Sequence, residues 1–98
     1  MNRADVIQTL REHEGELRNA GIVHLRLFGS VARNEASQDS DVDLLAEFDK
    51  SKRLSLVRVG NIQSRLSELL GVDVDLSSAE WMKEPIRSRA LREAILAF

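Results

Sequence analysis

The 98-residue chain contains no cysteine. Disulfide frameworks, thiolate metal centres and cysteine nucleophiles are therefore excluded, and a reducing, cytoplasmic compartment is expected. There is no tyrosine either, so the chain cannot modify a tyrosine of its own. Aromatic residues make up 4% of the sequence, as Phe28, Phe48, Trp81 and Phe98, which leaves few platforms for stacking bases. A basic surplus is also missing: 14 Lys and Arg stand against 16 Asp and Glu, for a net charge of −2. Direct nucleic-acid binding is not expected from that balance. No apolar run approaches the ~18 residues of a membrane span, and the opening MNRADVIQTL has no unbroken apolar stretch like that of a signal peptide. The two histidines, His13 and His24, lie too far apart in sequence to form a local ligand motif.

What remains is ordinary for a globular domain, with 43% hydrophobic and 31% charged residues. A single domain over 1–98 is expected. The spacing of Val6, Ile7, Leu10 and Leu17 predicts a helix over 3–20, capped by Asn2 with Asp5 three residues on and stopped at Gly21. Residues 22–28 alternate as a strand. A short helical turn over 31–33 and a polar loop over 34–40 follow. Residues 41–48 and 72–76 read as further strands, and 54–70 as a helix that Gly60 and Asn61 are placed to interrupt and Gly71 ends. A last apolar stripe (Ile86, Ala90, Leu91, Ala94, Ile95, Phe98) predicts a helix from Pro85 to the end of the sequence. The order of elements implies an α/β (α+β) fold, a small sheet with helices packed on it. His24 reads as a partly buried structural histidine and Trp81 as a side chain that packs the last helix onto the sheet. Arg87, Arg89 and Arg92 read as a solvated face, and Phe98 as core.

Two segments carry chemistry. In Ser40-Asp41-Val42-Asp43-Leu44 the acids share one face of a strand and the aliphatics the other. Alternate strand residues are about 6.6–6.8 Å apart, and two ionised carboxylates at that distance repel by roughly 2–3 kcal/mol at an effective dielectric near 20. A bound divalent cation removes that cost, and an oxygen-only donor set favours a hard ion such as Mg²⁺ or Mn²⁺. Val72-Asp73-Val74-Asp75-Leu76 repeats the pattern, so either Asp73 or Asp75 could supply a third acid if the two strands are neighbours. Three carboxylates can hold two ions for in-line phosphoryl or nucleotidyl transfer. An EF-hand reading of Asp39, Asp41 and Asp43 fails, because Leu44 replaces its turn glycine and Lys50 its bidentate glutamate.

Gly29-Ser30 follows the first strand and opens a helical turn, which collects free N–H groups at a point suited to phosphate. Arg33, three residues on, can grip two phosphate oxygens where a lysine cannot. Neither the Gly-Lys-Ser/Thr of a P-loop nor G-x-G-x-x-G is present.

Taken together, Phe28-Gly29-Ser30-Val31-Ala32-Arg33, the polar spacer, Ser40-Asp41-Val42-Asp43-Leu44 and Val74-Asp75-Leu76 resemble the nucleotidyltransferase superfamily related to DNA polymerase beta. The likeness is greatest to its minimal nucleotidyltransferases, the MntA-like antitoxins paired with HEPN-domain toxins, and it covers nearly the whole chain. It implies a small mixed sheet of about three core strands with four helices. It implies that Asp41, Asp43 and Asp75 are catalytic and bind two Mg²⁺ ions, with Mn²⁺ as a substitute. Gly29, Ser30, Arg33 and Ser40 would bind the nucleotide phosphates. Asp75 is preferred over Asp73 because V-D-L matches the family pattern. The implied reaction moves AMP from ATP to a hydroxyl, such as a tyrosine, of a HEPN-type toxin in a hetero-oligomer, with a homodimer as a further assembly. Two other functions fit the same residues: an antitoxin that neutralises by contact alone, and a nucleotidyltransferase for small, antibiotic-type acceptors. Asn34 replaces the glycine that often follows the arginine in this family, and asparagine still tolerates left-handed backbone.

Overall fold

Asn2 caps the first helix as its position suggests, its side chain accepting from the Asp5 N–H at 2.9 Å. The computed structural model describes residues 2–35 and 41–98. Where one helix is expected over 3–20 there are two, α1 (Arg3–Glu12) and α2 (Glu14–Ala20). The break falls at His13, at φ −109° and ψ 18°. Gly15, a weak helix former, leaves little local propensity to hold the helix straight there. Strand β1 (Ile22–Phe28) follows, then α3 (Gly29–Ala32), β2 (Val42–Phe48), α4 (Leu56–Leu70) and β3 (Val74–Ser77). A 3-10 turn (Ala79–Trp81), α5 (Ile86–Glu93) and β4 (Ile95–Leu96) complete the order.

Helix α4 starts one residue after Ser55, whose hydroxyl accepts from the Arg58 N–H at 3.1 Å, and ends at Gly71 with φ 70°. Gly60 and Asn61 do not interrupt it. Ile62, Leu66 and Leu70 are buried at helical spacing along one face, and that packing outweighs a single glycine.

The strands form a mixed four-stranded sheet in the order β3-β2-β1-β4. β2 and β3 are parallel and joined through α4, while β1 is antiparallel to both β2 and β4. Val6, Leu10 and Leu17 from α1 and α2, and Leu66 from α4, meet Leu25, Leu27, Val42 and Leu44 in the core. A register irregularity between Ile22 and His24 lets Ile22 join that core with Leu25 and Leu27, against the strict alternation that assigns it to the opposite face.

The sheet has one strand more than the three expected, because the final helix is shorter than its stripe suggests. Ala94 turns extended at ψ 140°, and Ile95–Leu96 pair with β1. The Ala97 N–H donates to the Leu25 carbonyl at 2.8 Å, and the Leu25 N–H to the Phe98 carbonyl at 3.1 Å. A short apolar run satisfies helix and strand patterns alike; here the edge of β1 supplies backbone partners that a helix would have left unused. Phe98 is buried, as expected, but from an extended segment. Along α5 only Ala90 is buried, and Ile86 remains 61% exposed. Trp81 is 55% exposed and stacks on Phe48 of β2 with ring centroids 5.6 Å apart.

Candidate active site

The acids come together through strand register. Asp43 on β2 pairs with Asp75 on the parallel strand β3, and on its other side with Phe28 on β1. Neighbouring strands lie about 4.8 Å apart, and residues in register point to the same face, so Asp43 and Asp75 stand side by side. Asp41 lies one residue before β2, where the Val42 N–H donates to the Asp73 carbonyl at 3.0 Å. Asp73 therefore contributes its backbone at the start of the pairing, and Asp75 is the acid in register with Asp43.

This crowding shows on Asp43. Burial pushes its carboxyl above the ordinary aspartate value, the charges of Asp75 and then Asp41 push it further, and Arg33 pulls it partly back. The acids thus feel one another. Even so, among the described residues no group of three or more His, Cys, Asp or Glu side chains is arranged to hold a metal ion. Asp41 and Asp75 are both exposed, and like charges gain by staying apart. The donor chemistry still fits a hard divalent cation: carboxylate oxygens only, one of them held against its preferred ionisation.

Gly29 closes the site from below. Its φ is +76°, and a Cβ there would lie 2.2 Å from Oδ2 of Asp43. Only glycine allows the turn to run this close to the carboxylate. Ser30 follows in α3, half-buried. The turn is tied off by the Arg33 N–H to the Gly29 carbonyl at 3.1 Å and the Glu35 N–H to the Ser30 carbonyl at 2.8 Å. Asn34 takes the left-handed conformation at φ 62°. Ser40, the remaining phosphate-binding expectation, lies outside the described residues.

Arg33 is engaged rather than free. Its Nε donates to Glu35 Oε2 and its Nη1 to Glu93 Oε2, both at 3.0 Å. The bond it donates to Glu35, followed by the charge of Glu93, raises the guanidinium above its already high value. No sequence signal marks Glu93, which lies 60 positions away. Also unmarked is a cavity of about 430 Å³ on the sheet face that carries Asp43, lined in part by Arg26, Leu45, Glu47, Glu80 and Arg87. The alternation Asp43, Leu45, Glu47 leads into it. His24 is half-buried, as expected, and its Nδ1 has no hydrogen-bond partner among the described residues.

The nucleotidyltransferase domain family matches residues 8–97. A protein adenylyltransferase named MntA, from Thermococcus cleftensis, is 36% identical over 92 residues, which cover 93% of this chain and 91% of that protein. A solved structure provisionally described as a minimal nucleotidyltransferase shares 37% identity and superposes with a TM-score of 0.74, covering 97% of this chain and 95% of the other. An MNT antitoxin complex with a tri-AMPylated HEPN toxin from Shewanella oneidensis yields a TM-score of 0.66 at 17% identity, over 94% of this chain and 71% of the other. At that identity it speaks for the fold alone. The chain belongs to the nucleotidyltransferase domain family, and the likeness to minimal nucleotidyltransferases drawn from the residues holds.

Proposed function

We propose that this protein is a Mg²⁺-dependent protein adenylyltransferase that moves AMP from ATP to a hydroxyl, a tyrosine in the first instance, of a HEPN-type toxin, and so acts as its antitoxin. The observation that carries this reading is the register of Asp43 with Asp75 directly above the Gly29 turn. Support for a protein acceptor comes from the adenylyltransferase at 36% identity. A HEPN partner is suggested by the complex with the tri-AMPylated toxin, and ATP by a toxin–antitoxin structure with AMP-PNP of the same fold.

In this reading the Gly29 and Ser30 N–H groups receive the phosphates, a role the family resemblance also assigns to Ser40. Asp41, Asp43 and Asp75 are the residues that would hold Mg²⁺. When bound, the ion neutralises triphosphate charge and polarises the phosphorus under attack. Asp75 accepts the proton as the acceptor oxygen bonds to the α-phosphorus; the bond to the β-phosphate oxygen breaks and pyrophosphate leaves. These residues bring orientation and charge, and the partner brings the acceptor.

Incubation with labelled ATP, Mg²⁺ and a HEPN protein tests the proposal. Label on a tyrosine of the HEPN protein, lost with Asp43→Asn, is the expected result. Neutralisation of the toxin without label, unchanged by Asp43→Asn, would replace the enzyme with a binding-only antitoxin. Label on a small-molecule hydroxyl alone would redirect it to that acceptor class.

A further inference from the structure

Arg33 is the cation beside the acids, and its charge acts on Asp43. A guanidinium grips phosphate through a pair of parallel N–H groups on one edge. It has two such edges, one formed by Nε with a terminal nitrogen and one by the two terminal nitrogens. In this structure each edge has a nitrogen already committed, Nε to Glu35 and Nη1 to Glu93. Glu35 is a near neighbour in the chain and moves with the turn. Glu93 belongs to a different element: it is the last residue of α5. The negative end of a helix disfavours a carboxylate at that position, so the ion pair with Arg33 offsets a placement that α5 alone would not favour. The Glu93 side chain is also the less exposed of the two acids, at 33% against 65% for Glu35.

We propose that Glu93 is a positioning residue that holds Arg33 back from the triphosphate, so that nucleotide binding must break the Arg33–Glu93 pair and release the end of α5. The proposal rests on the nucleotide reading given above. It makes the C-terminal helix a sensor of site occupancy. It also sets the nucleotide affinity of the free chain below what its phosphate-binding residues could reach.

The test measures binding of inorganic tripolyphosphate with Mg²⁺ by calorimetry at physiological salt. Glu93→Gln should tighten binding about 2- to 5-fold, the range set by an exposed ion pair. Glu93→Asp keeps the charge but shortens the reach by one methylene, and should tighten binding too. In an Arg33→Gln background neither change should have an effect. Thermal melts show that each variant is folded, and Glu93→Asp stands in if Glu93→Gln does not fold. Unchanged affinity in both Glu93 variants overturns the latch while leaving the nucleotide reading intact. Equal tightening by Glu93→Gln with and without Arg33 overturns it as well, because Glu93 then acts only as general negative charge. If neither the wild type nor any variant binds tripolyphosphate, the nucleotide reading fails and the latch fails with it.

Discussion

Replacing Asp43 with asparagine separates the two demands on this site, because it should harm function while helping the metal-free fold. Two ionised carboxylates on adjacent strands, about 5 Å apart, repel by roughly 3 kcal/mol at an effective dielectric near 20. Asp43 is half-buried and its neighbours are exposed, so solvent and salt reduce the net effect to about 1 kcal/mol. For a domain of this length that is a rise in Tm of about 4–8 °C. The pH dependence follows from the raised carboxyl of Asp43. Below the ordinary aspartate value both folded and unfolded chains carry the proton, and the wild type suffers no penalty. As pH rises through that value the unfolded chain loses its proton first, so stability falls. The loss is complete once pH passes the raised folded value. The advantage of Asp43→Asn should therefore be absent in acid, grow through that window and level off towards neutrality. Differential scanning calorimetry over a pH series without divalent ions measures it directly. Adding Mg²⁺ should raise the wild-type Tm more than that of the variant, since an ion that binds only the folded chain stabilises it by mass action. A metal-free Asp43→Asn protein that melts below the wild type at neutral pH would refute the reasoning and make Asp43 a structural residue.

Two further outcomes follow from the packing. Gly29→Ala should destabilise the fold by about 1–3 kcal/mol, because it meets both an unfavourable φ and the Asp43 carboxylate at 2.2 Å; urea titration measures the loss, and an unchanged midpoint would show that the turn can move aside. Leu66→Ala, at a fully buried position of α4, should cost about 2–5 kcal/mol while leaving nucleotide affinity intact in the folded fraction, since Leu66 lies in the core beneath the sheet rather than beside the acids.

Local patterns identify most of this molecule. Alternation in 41–48 placed Asp41 and Asp43 opposite Val42 and Leu44, and the capping roles of Asn2 and Gly71 follow from neighbours a few residues away. The Gly29-Ser30 turn could be read because a strand-to-helix junction needs that backbone freedom wherever it occurs. These features depend on interactions within about one turn or one strand, which a linear pattern records. Other features do not. The choice between Asp73 and Asp75 depends on which residue of β3 meets Asp43 on β2, and that register is set by α4 and the hydrophobic face it packs beneath. The end of the chain became a strand because the edge of β1 offered backbone partners that no pattern within 94–98 can announce. Arg33 found Glu93 across 60 positions because α5 ends beside α3. Register, edge pairing and long-range ion pairs arise from surfaces meeting in space, so their energies belong to no single segment of the sequence.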